Sequence, residues 1–258
     1  MLHIFIISCP SLINSRLSSI RKIFTSVARA AELSTVTVLR EPDEYYCHSY
    51  FLNYHYDYGS WDSHIQFCSD EFLSNINHSA FNHLNNTVMS SREMLCTLFP
   101  PRRLSISEIS ISLRHRWIWK HCRKLDGITL VLEDDALIGN PGRFRELLSH
   151  LWKIHGLFPY VDYSDNSVVP YPKPSYLYQL EGFELYSLPI AKTRTLLCYS
   201  FSNKVMQSVL SNDTCQSLPI DMHLQYLLKK ANMAGCVVSH SSLIHGSKVS
   251  LHQSAISS

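Results

Sequence analysis

The sequence predicts an α/β fold with a mostly parallel, twisted sheet flanked by helices, and three successive segments lead to this prediction. Residues 2–7 are an apolar run dominated by β-branched and aromatic residues, as in a strand that is buried on both faces. Apolar residues then recur every three or four positions from residue 17 to residue 31, which is typical of an amphipathic helix. Residues 36–39 predict a second strand, and such strand, helix, strand units place ligands at the carboxyl ends of their strands.

The length and composition are those of a folded globular protein. The chain has 258 residues, of which 45% are apolar and 17% are charged, so it can bury a sizeable core. We expect one domain over residues 1–258, with residues 41–100 as a variable, loop-rich insertion that contains many tyrosines, histidines and asparagines. The aromatic rings of this insertion can stack on sugars, or they can pack the insertion against the sheet.

The overall charge and the cysteines exclude some classes of function. A formal net charge of +2 is too weak to indicate a nucleic acid as the partner. The eight cysteines contain no Cys-x-x-Cys pair, which favours free, buried thiols over a zinc site or a disulfide framework.

No segment of the sequence has the pattern of a signal peptide or a membrane-spanning helix. The apolar run at residues 2–7 is short, follows no basic residue and precedes no small-residue cleavage site. No stretch approaches the roughly 18 to 20 apolar residues of a spanning helix. We therefore expect a cytoplasmic protein, and we leave open its peripheral attachment to the inner face of the membrane.

Further helices and strands are predicted after residue 100. Ser105 and Glu108 have the spacing of a capping box at the start of a helix that runs to about residue 123. Residues 156–175 are rich in proline, tyrosine and aspartate and predict loops. The other predicted elements are a strand at 128–132, a helix at 144–152, a strand at 196–201, a helix at 202–210 capped by Ser202, a helix at 221–230 and a strand at 236–238.

Three consecutive acidic residues, Glu133, Asp134 and Asp135, end the apolar strand at 128–132, and we call them the acidic cluster. Desolvated carboxylates repel one another, so a cluster at the end of a buried strand requires a nearby cation. Mg²⁺ or Mn²⁺ suits this place, because each binds one or two carboxylates together with phosphate oxygens and water. The alternative interpretation is a helix N-cap with solvated acids.

Several motifs together resemble glycosyltransferase family 25, which includes lipooligosaccharide and collagen galactosyltransferases. The segments that carry the resemblance are LSISEI at 104–109, SLRH at 112–115 and LVLEDD at 130–135, with further similarity at Ser15-Arg16, 195–200 and 218–221. The resemblance covers roughly residues 2–30 and 100–256. Arg114 stands where the family usually has a serine, and Ser110 stands where it often has glycine or alanine.

The resemblance implies a GT-A-type nucleotide-binding fold and inverting transfer from a sugar nucleotide. Asp135 becomes the primary metal ligand, with Asp134 or Glu133 as its partner or as a ribose contact, and Asp221 becomes the candidate general base. Asp221 can equally be an ordinary N-cap, and His115 can line the pocket or merely pack. The complete set of candidates is Asp221 and Glu133 for catalysis, Ser8, Arg16, His115 and Asp134 for donor binding, and Asp134, Asp135, His245 and His252 for the metal.

The expected activity is metal-dependent transfer of a sugar, galactose above all, from a UDP-sugar. The acceptor is a saccharide or a lipid-linked saccharide in bacterial lipopolysaccharide, lipooligosaccharide or capsule synthesis. Two alternatives stay open: another metal-dependent nucleotidyl- or phosphotransferase, and a carbohydrate-binding relative without turnover. The lack of a glycine-rich phosphate loop with lysine disfavours the commonest phosphotransferases.

Overall fold

The structure is a computed structural model that describes most of the chain outside the predicted insertion. The described residues are 1–8, 16–18, 21–23, 25–26, 34–39, 106–164, 176–191, 193, 196–212, 219–239 and 241–245. The insertion at 41–100, Ser105 of the predicted capping box and His252 lie outside these residues. The single-domain organisation therefore stays a prediction.

The described residues form ten strands and five helices, which do not alternate strictly along the chain. The strands are β1 (Leu2–Ile7), β2 (Ser34–Leu39), β3 (Ile128–Glu133), β4 (Ala136–Ile138), β5 (Tyr160–Asp162), β6 (Tyr176–Leu180), β7 (Phe183–Leu188), β8 (Cys198–Ser202), β9 (Gly235–Ser239) and β10 (Leu243–His245). The helices are α1 (Ile106–Cys122), α2 (Pro141–Ser149), α3 (Leu151–Leu157), α4 (Asn203–Leu210) and α5 (Ile220–Lys230). Residues 16–18, 21–23 and 25–26, between β1 and β2, are also helical.

Eight of the strands form one open, mixed sheet in the order β2-β1-β3-β8-β5-β9-β7-β6. The pairs β1/β2, β1/β3 and β5/β9 are parallel, and the other four neighbouring pairs are antiparallel. The predicted α/β class with flanking helices is confirmed, but the prediction of a mostly parallel sheet is wrong. An unbroken apolar run shows that a strand is buried on both faces, and it does not fix the direction of that strand.

The hairpin of β6 and β7 is one source of the antiparallel pairing. Glu181 and Gly182 connect the two strands, and both have positive φ, at 46° and 88°. Two successive residues with positive φ make the type of two-residue turn whose twist matches that of a hairpin. Neither strand of this hairpin was predicted, and β5 lies within the segment that was expected to form loops.

Each face of the sheet carries its own apolar core. Ile4 of β1 and Leu130 of β3 pack on one face with Phe144 of α2 and Ile23, which lies between β1 and β2. The opposite face holds a second cluster, in which neighbouring strand residues contact α1, α4 and α5. The strands therefore alternate their side chains between two apolar layers, which explains why β1 and β3 are apolar at almost every position.

The first three strands create a topological switch point beside β1. β1 pairs with β2 on one side and with β3 on the other, in parallel, so the carboxyl ends of β1 and β3 are neighbours. Ile23 precedes β2 and packs on one face, whereas Trp119 of α1 precedes β3 and packs on the other. In open α/β sheets, ligands bind outside the carboxyl ends of strands at such a point.

The predicted helix at 105–123 and the helices at 202–210 and 221–230 are confirmed as α1, α4 and α5, with ends within two residues. The helix predicted at 144–152 is two helices, α2 and α3, separated at His150. Ser202 is the N-cap of α4, but its side chain makes no capping hydrogen bond.

The cysteine and membrane predictions are tested in the described part of the chain. Cys122, Cys198 and Cys236 are free and buried, as expected, and the other five cysteines lie outside the described residues. No helix among the described residues combines the length and the apolarity that crossing a bilayer requires.

Candidate functional site

The acidic cluster lies at the switch point, where the backbone of β3 is held between its two neighbours. The amide of Glu133 donates to Leu197 O at 2.9 Å, and the amide of Asp134 donates to Ile7 O at 2.9 Å. Side-chain exposure of Glu133 is 16%, while Asp134 and Asp135 are 2% and 5% exposed as whole residues. A turn into β4 follows, and no helix begins here, so the interpretation as a helix N-cap with solvated acids is wrong.

Arg16 supplies a cation to the acidic cluster from the helical segment after β1. Its Nη1 donates to Asp134 Oδ1 in an ion pair, and both residues are buried. The sequence predicted a cation beside these acids and assigned Arg16 to the nucleotide. Because a guanidinium already compensates Asp134, charge balance by itself does not require a metal at this carboxylate.

The side chain of Glu133 lies on the face of the sheet that packs against α1, whereas Arg16 reaches Asp134 from the segment after β1. Its Oε1 lies 3.1 Å from Nε2 of His115, and Nδ1 of the same ring lies 2.8 Å from Tyr199 Oη. Trp119 Nε1 donates to the same tyrosine oxygen at 2.9 Å. His115 was predicted either to line the pocket or to pack; its ring is buried and contacts Glu133 of the acidic cluster.

A second arginine, Arg114, fixes the end of β1. Its Nη1 donates to the carbonyl oxygen of Ser8 at 2.5 Å, and both residues are buried. Ser8 was a candidate for donor binding, and the structure places it beside the acidic cluster with its carbonyl already engaged. Burial raises the pKa of Glu133 to about 7, while the positive charge of Arg114 opposes this rise and the negative charge of Asp134 adds to it.

Asp221 belongs to the same electrostatic environment as Glu133. It lies in the first turn of α5, where Pro219 is the N-cap, and its Oδ1 accepts from the amide of Met222 at 2.9 Å. Burial raises the pKa of Asp221 to about 6; the Met222 amide opposes the rise, and repulsion from Glu133 and Glu108 adds to it. Asp221 therefore is not the N-cap of its helix, and its carboxyl group can hold or release a proton near neutral pH.

Strand β10 brings His245, one of the two candidate histidines, to the acidic cluster. β10 pairs with β4 in antiparallel register, and His245 lies opposite Ala136, the residue that follows Asp135. The backbone of His245 is therefore next to the cluster, as a metal ligand at this position requires. Within the described residues, no group of three or more histidine, cysteine, aspartate or glutamate side chains is arranged to hold a metal.

Sequence reasoning did not assign roles to Arg114, Trp119 and Tyr199. A signal for Trp119 was available, because it lies one helical turn after His115 on α1 and therefore shares its face. Tyr199 gave a weaker signal, namely a phenol inside an apolar strand, whose hydroxyl requires a partner when it is buried. Nothing local in the sequence indicates that Arg114 contacts Ser8, which is 106 positions away.

Comparisons of the sequence with protein-family models and with curated proteins find no match.

Proposed function

We propose that this protein is a metal-dependent, inverting glycosyltransferase with a GT-A-type nucleotide-binding fold. One observation carries the proposal: a buried acidic cluster, flanked by Arg16 and Arg114, lies at the topological switch point of an open α/β sheet. The donor is a UDP-sugar, with galactose as the expected sugar. The acceptor is a saccharide or a lipid-linked saccharide of bacterial lipopolysaccharide, lipooligosaccharide or capsule synthesis.

The donor atoms of the acidic cluster fit Mn²⁺ or Mg²⁺. Asp134 and Asp135 are adjacent, buried and supply hard oxygen ligands, and the backbone of His245 lies beside them. Two carboxylates leave coordination positions for diphosphate oxygens and water, which is the arrangement that these ions prefer. When bound, the metal would stabilise the negative charge that develops on the leaving diphosphate.

The protein's own residues supply the remaining chemistry. Asp221 accepts the proton of the acceptor hydroxyl while the oxygen of that hydroxyl attacks the anomeric carbon of the donor sugar. The bond between the anomeric carbon and the diphosphate breaks, and its electron pair leaves with the diphosphate. A pKa of about 6 leaves Asp221 mostly ionised at neutral pH and still basic enough for this role. Arg16 adds positive charge beside Asp134, close to where the diphosphate binds.

Donor binding is tested by the thermal stability of the protein with UDP and Mn²⁺. A ligand that binds only the native state adds about 2.7 kcal/mol when present at a hundred times its dissociation constant, so the Tm rises. We expect Asp135→Asn to abolish this rise. Asp126→Asn is the matched control, because Asp126 is exposed and lies at the amino end of the same strand.

If the wild-type protein shows no shift with UDP and Mn²⁺, or if Asp135→Asn shifts as much as the Asp126→Asn control, the proposal fails. Turnover is tested by mass spectrometry with a panel of UDP-sugars and saccharide acceptors. Release of UDP together with a glycoside of inverted anomeric configuration supports the proposal. Transfer of a phosphoryl or nucleotidyl group would instead identify the phosphotransferase alternative, and binding without turnover would identify a carbohydrate-binding relative.

We further propose a cytoplasmic location for this activity. A lipid-linked acceptor would bring the protein to the inner face of the membrane as a peripheral protein. Co-sedimentation with anionic lipid vesicles tests this attachment, and a protein that stays entirely in the supernatant contradicts it.

A further inference from the structure

Four side chains form one hydrogen-bonded chain that starts in the core and ends at the acidic cluster. Trp119 Nε1, Tyr199 Oη, the two ring nitrogens of His115 and Glu133 Oε1 follow one another at 2.9, 2.8 and 3.1 Å. Trp119, His115 and Tyr199 have no exposed surface. The indole nitrogen of Trp119, the hydroxyl of Tyr199 and both ring nitrogens of His115 are therefore paired within this chain.

The direction of the chain follows from the number of hydrogens that each group carries. An indole nitrogen can only donate, so Tyr199 Oη accepts from Trp119. The single hydrogen of Tyr199 then goes to the other contact of its oxygen, which is His115 Nδ1. A neutral imidazole has one protonated nitrogen, so Nε2 of His115 carries the hydrogen and donates it to Glu133.

The opposite tautomer leaves one group unsatisfied. If His115 Nδ1 carried the hydrogen, Tyr199 Oη would accept two hydrogen bonds, and its own hydrogen would have no acceptor among the described residues. Such an unsatisfied hydroxyl is unfavourable in a buried position. Burial, together with the positive charge of Arg114, also lowers the pKa of His115.

We propose that His115 is a positioning residue, which Tyr199 holds in its Nε2–H tautomer and which directs the carboxylate of Glu133 towards the ligand. Through Oε1, His115 fixes the rotation of a carboxyl group that retains 16% of its side-chain surface. The orientation of Glu133 stands on geometry alone, whereas its effect on turnover rests on the proposed function. Trp119 and Tyr199 lie behind His115 at the sheet end and hold its ring in this orientation.

The tautomer is measured directly by NMR of protein labelled with ¹⁵N-histidine, at about pH 8. We expect the signals of His115, identified by their loss in His115→Gln, to show a protonated Nε2 and an unprotonated Nδ1. Tyr199→Phe removes the donor to Nδ1 and should convert this pattern into a mixture of tautomers. Trp119→Phe is the matched control, because it removes a hydrogen bond of Tyr199 and leaves the tyrosine donor in place.

A protonated Nδ1 in the wild-type protein overturns the proposal, and so does an unchanged pattern in folded Tyr199→Phe. If Tyr199→Phe does not fold, the wild-type spectrum alone decides, since it distinguishes the two tautomers without any variant. These spectra require neither UDP nor turnover. A wild-type protein without UDP-sugar activity would therefore contradict the proposed function and leave the test of the tautomer intact.

Kinetics separate positioning from mere packing. His115→Gln keeps an N–H near the Nε2 position, whereas His115→Phe keeps a ring of similar size without any donor. With UDP-galactose at saturation, we expect His115→Phe to lower kcat about tenfold, as for the loss of one hydrogen bond to a charged group. We expect His115→Gln to recover most of this loss, and equal losses in two folded variants would contradict the role as donor.

Discussion

Arg16 and Asp134 form the ion pair that joins the segment after β1 to the acidic cluster, and both side chains are buried. Removing one member of a buried pair leaves an uncompensated charge, which typically costs about 3–5 kcal/mol. We predict that Arg16→Gln lowers the free energy of unfolding by this amount. Asp134→Asn in the same background should recover a large part of the loss, because it removes the negative charge that Arg16 compensates in the wild-type protein.

A double-mutant cycle, measured by urea unfolding, isolates the interaction between these two residues. Strong coupling is expected between Arg16→Gln and Asp134→Asn. The combination of Arg16→Gln with Asp126→Asn is the control, since Asp126 lies at the far end of β3 and its change should be additive. Additive effects of Arg16→Gln and Asp134→Asn would mean that the pair does not stabilise the fold.

The helix ends give a prediction at the scale of secondary structure. Asn140 is the N-cap of α2, and its side chain accepts from the amide of Arg143 at 3.1 Å. Ser202 is the N-cap of α4 but makes no such bond. Thermal or urea unfolding should show a loss of about 1 kcal/mol for Asn140→Ala and only a few tenths for Ser202→Ala. Equal losses would mean that the side-chain bond does not stabilise α2.

The elements that the sequence predicted are those with a strong local pattern. β1 and β3 are largely apolar runs, and α1 is preceded by the spacing of a capping box, so each of these elements could be predicted from a local pattern. β5 has only three residues, too few to show a period. The antiparallel direction of β8 depends on how the chain returns to the sheet, which no local pattern encodes.

The candidate site also contains residues that a local sequence pattern predicts and residues that it does not. The acidic cluster was found because its three acids are consecutive and end an apolar strand. Its partners come from distant segments: Arg16 is 118 positions from Asp134, and Tyr199 is 84 positions from His115. The sequence therefore identified the charged groups, while the contacts that orient and neutralise them arise only when the sheet brings these segments together.

At the scale of the whole molecule, two half-buried groups, His155 and Asp221, change stability with pH in opposite directions. Burial lowers the pKa of His155 from 6.5 to about 4, while its Nε2 lies 2.6 Å from the buried hydroxyl of Ser200. Below pH 6.5 the unfolded chain takes up a proton that the native His155 does not bind, so the free energy of unfolding falls as the pH falls towards 4.

For Asp221 the pKa is raised from 3.8 to about 6, and the native state keeps a proton that the unfolded chain releases. Its contribution to stability therefore falls as the pH rises from 4 to 6.

We predict that removing either group tilts the pH profile of stability in a defined direction. Relative to the wild-type protein, His155→Gln should gain stability as the pH falls from 7 to 4.5, because the penalty from the histidine is gone. Asp221→Asn should gain stability as the pH rises over the same interval, because an amide never ionises. Each substitution changes the slope of the free energy of unfolding against pH by at most about 1.4 kcal/mol per pH unit, which is the limit for a difference of one bound proton. Urea unfolding across this interval measures both slopes. A change of the same sign in the slopes of the two variants would contradict the assignment of opposite protonation behaviour.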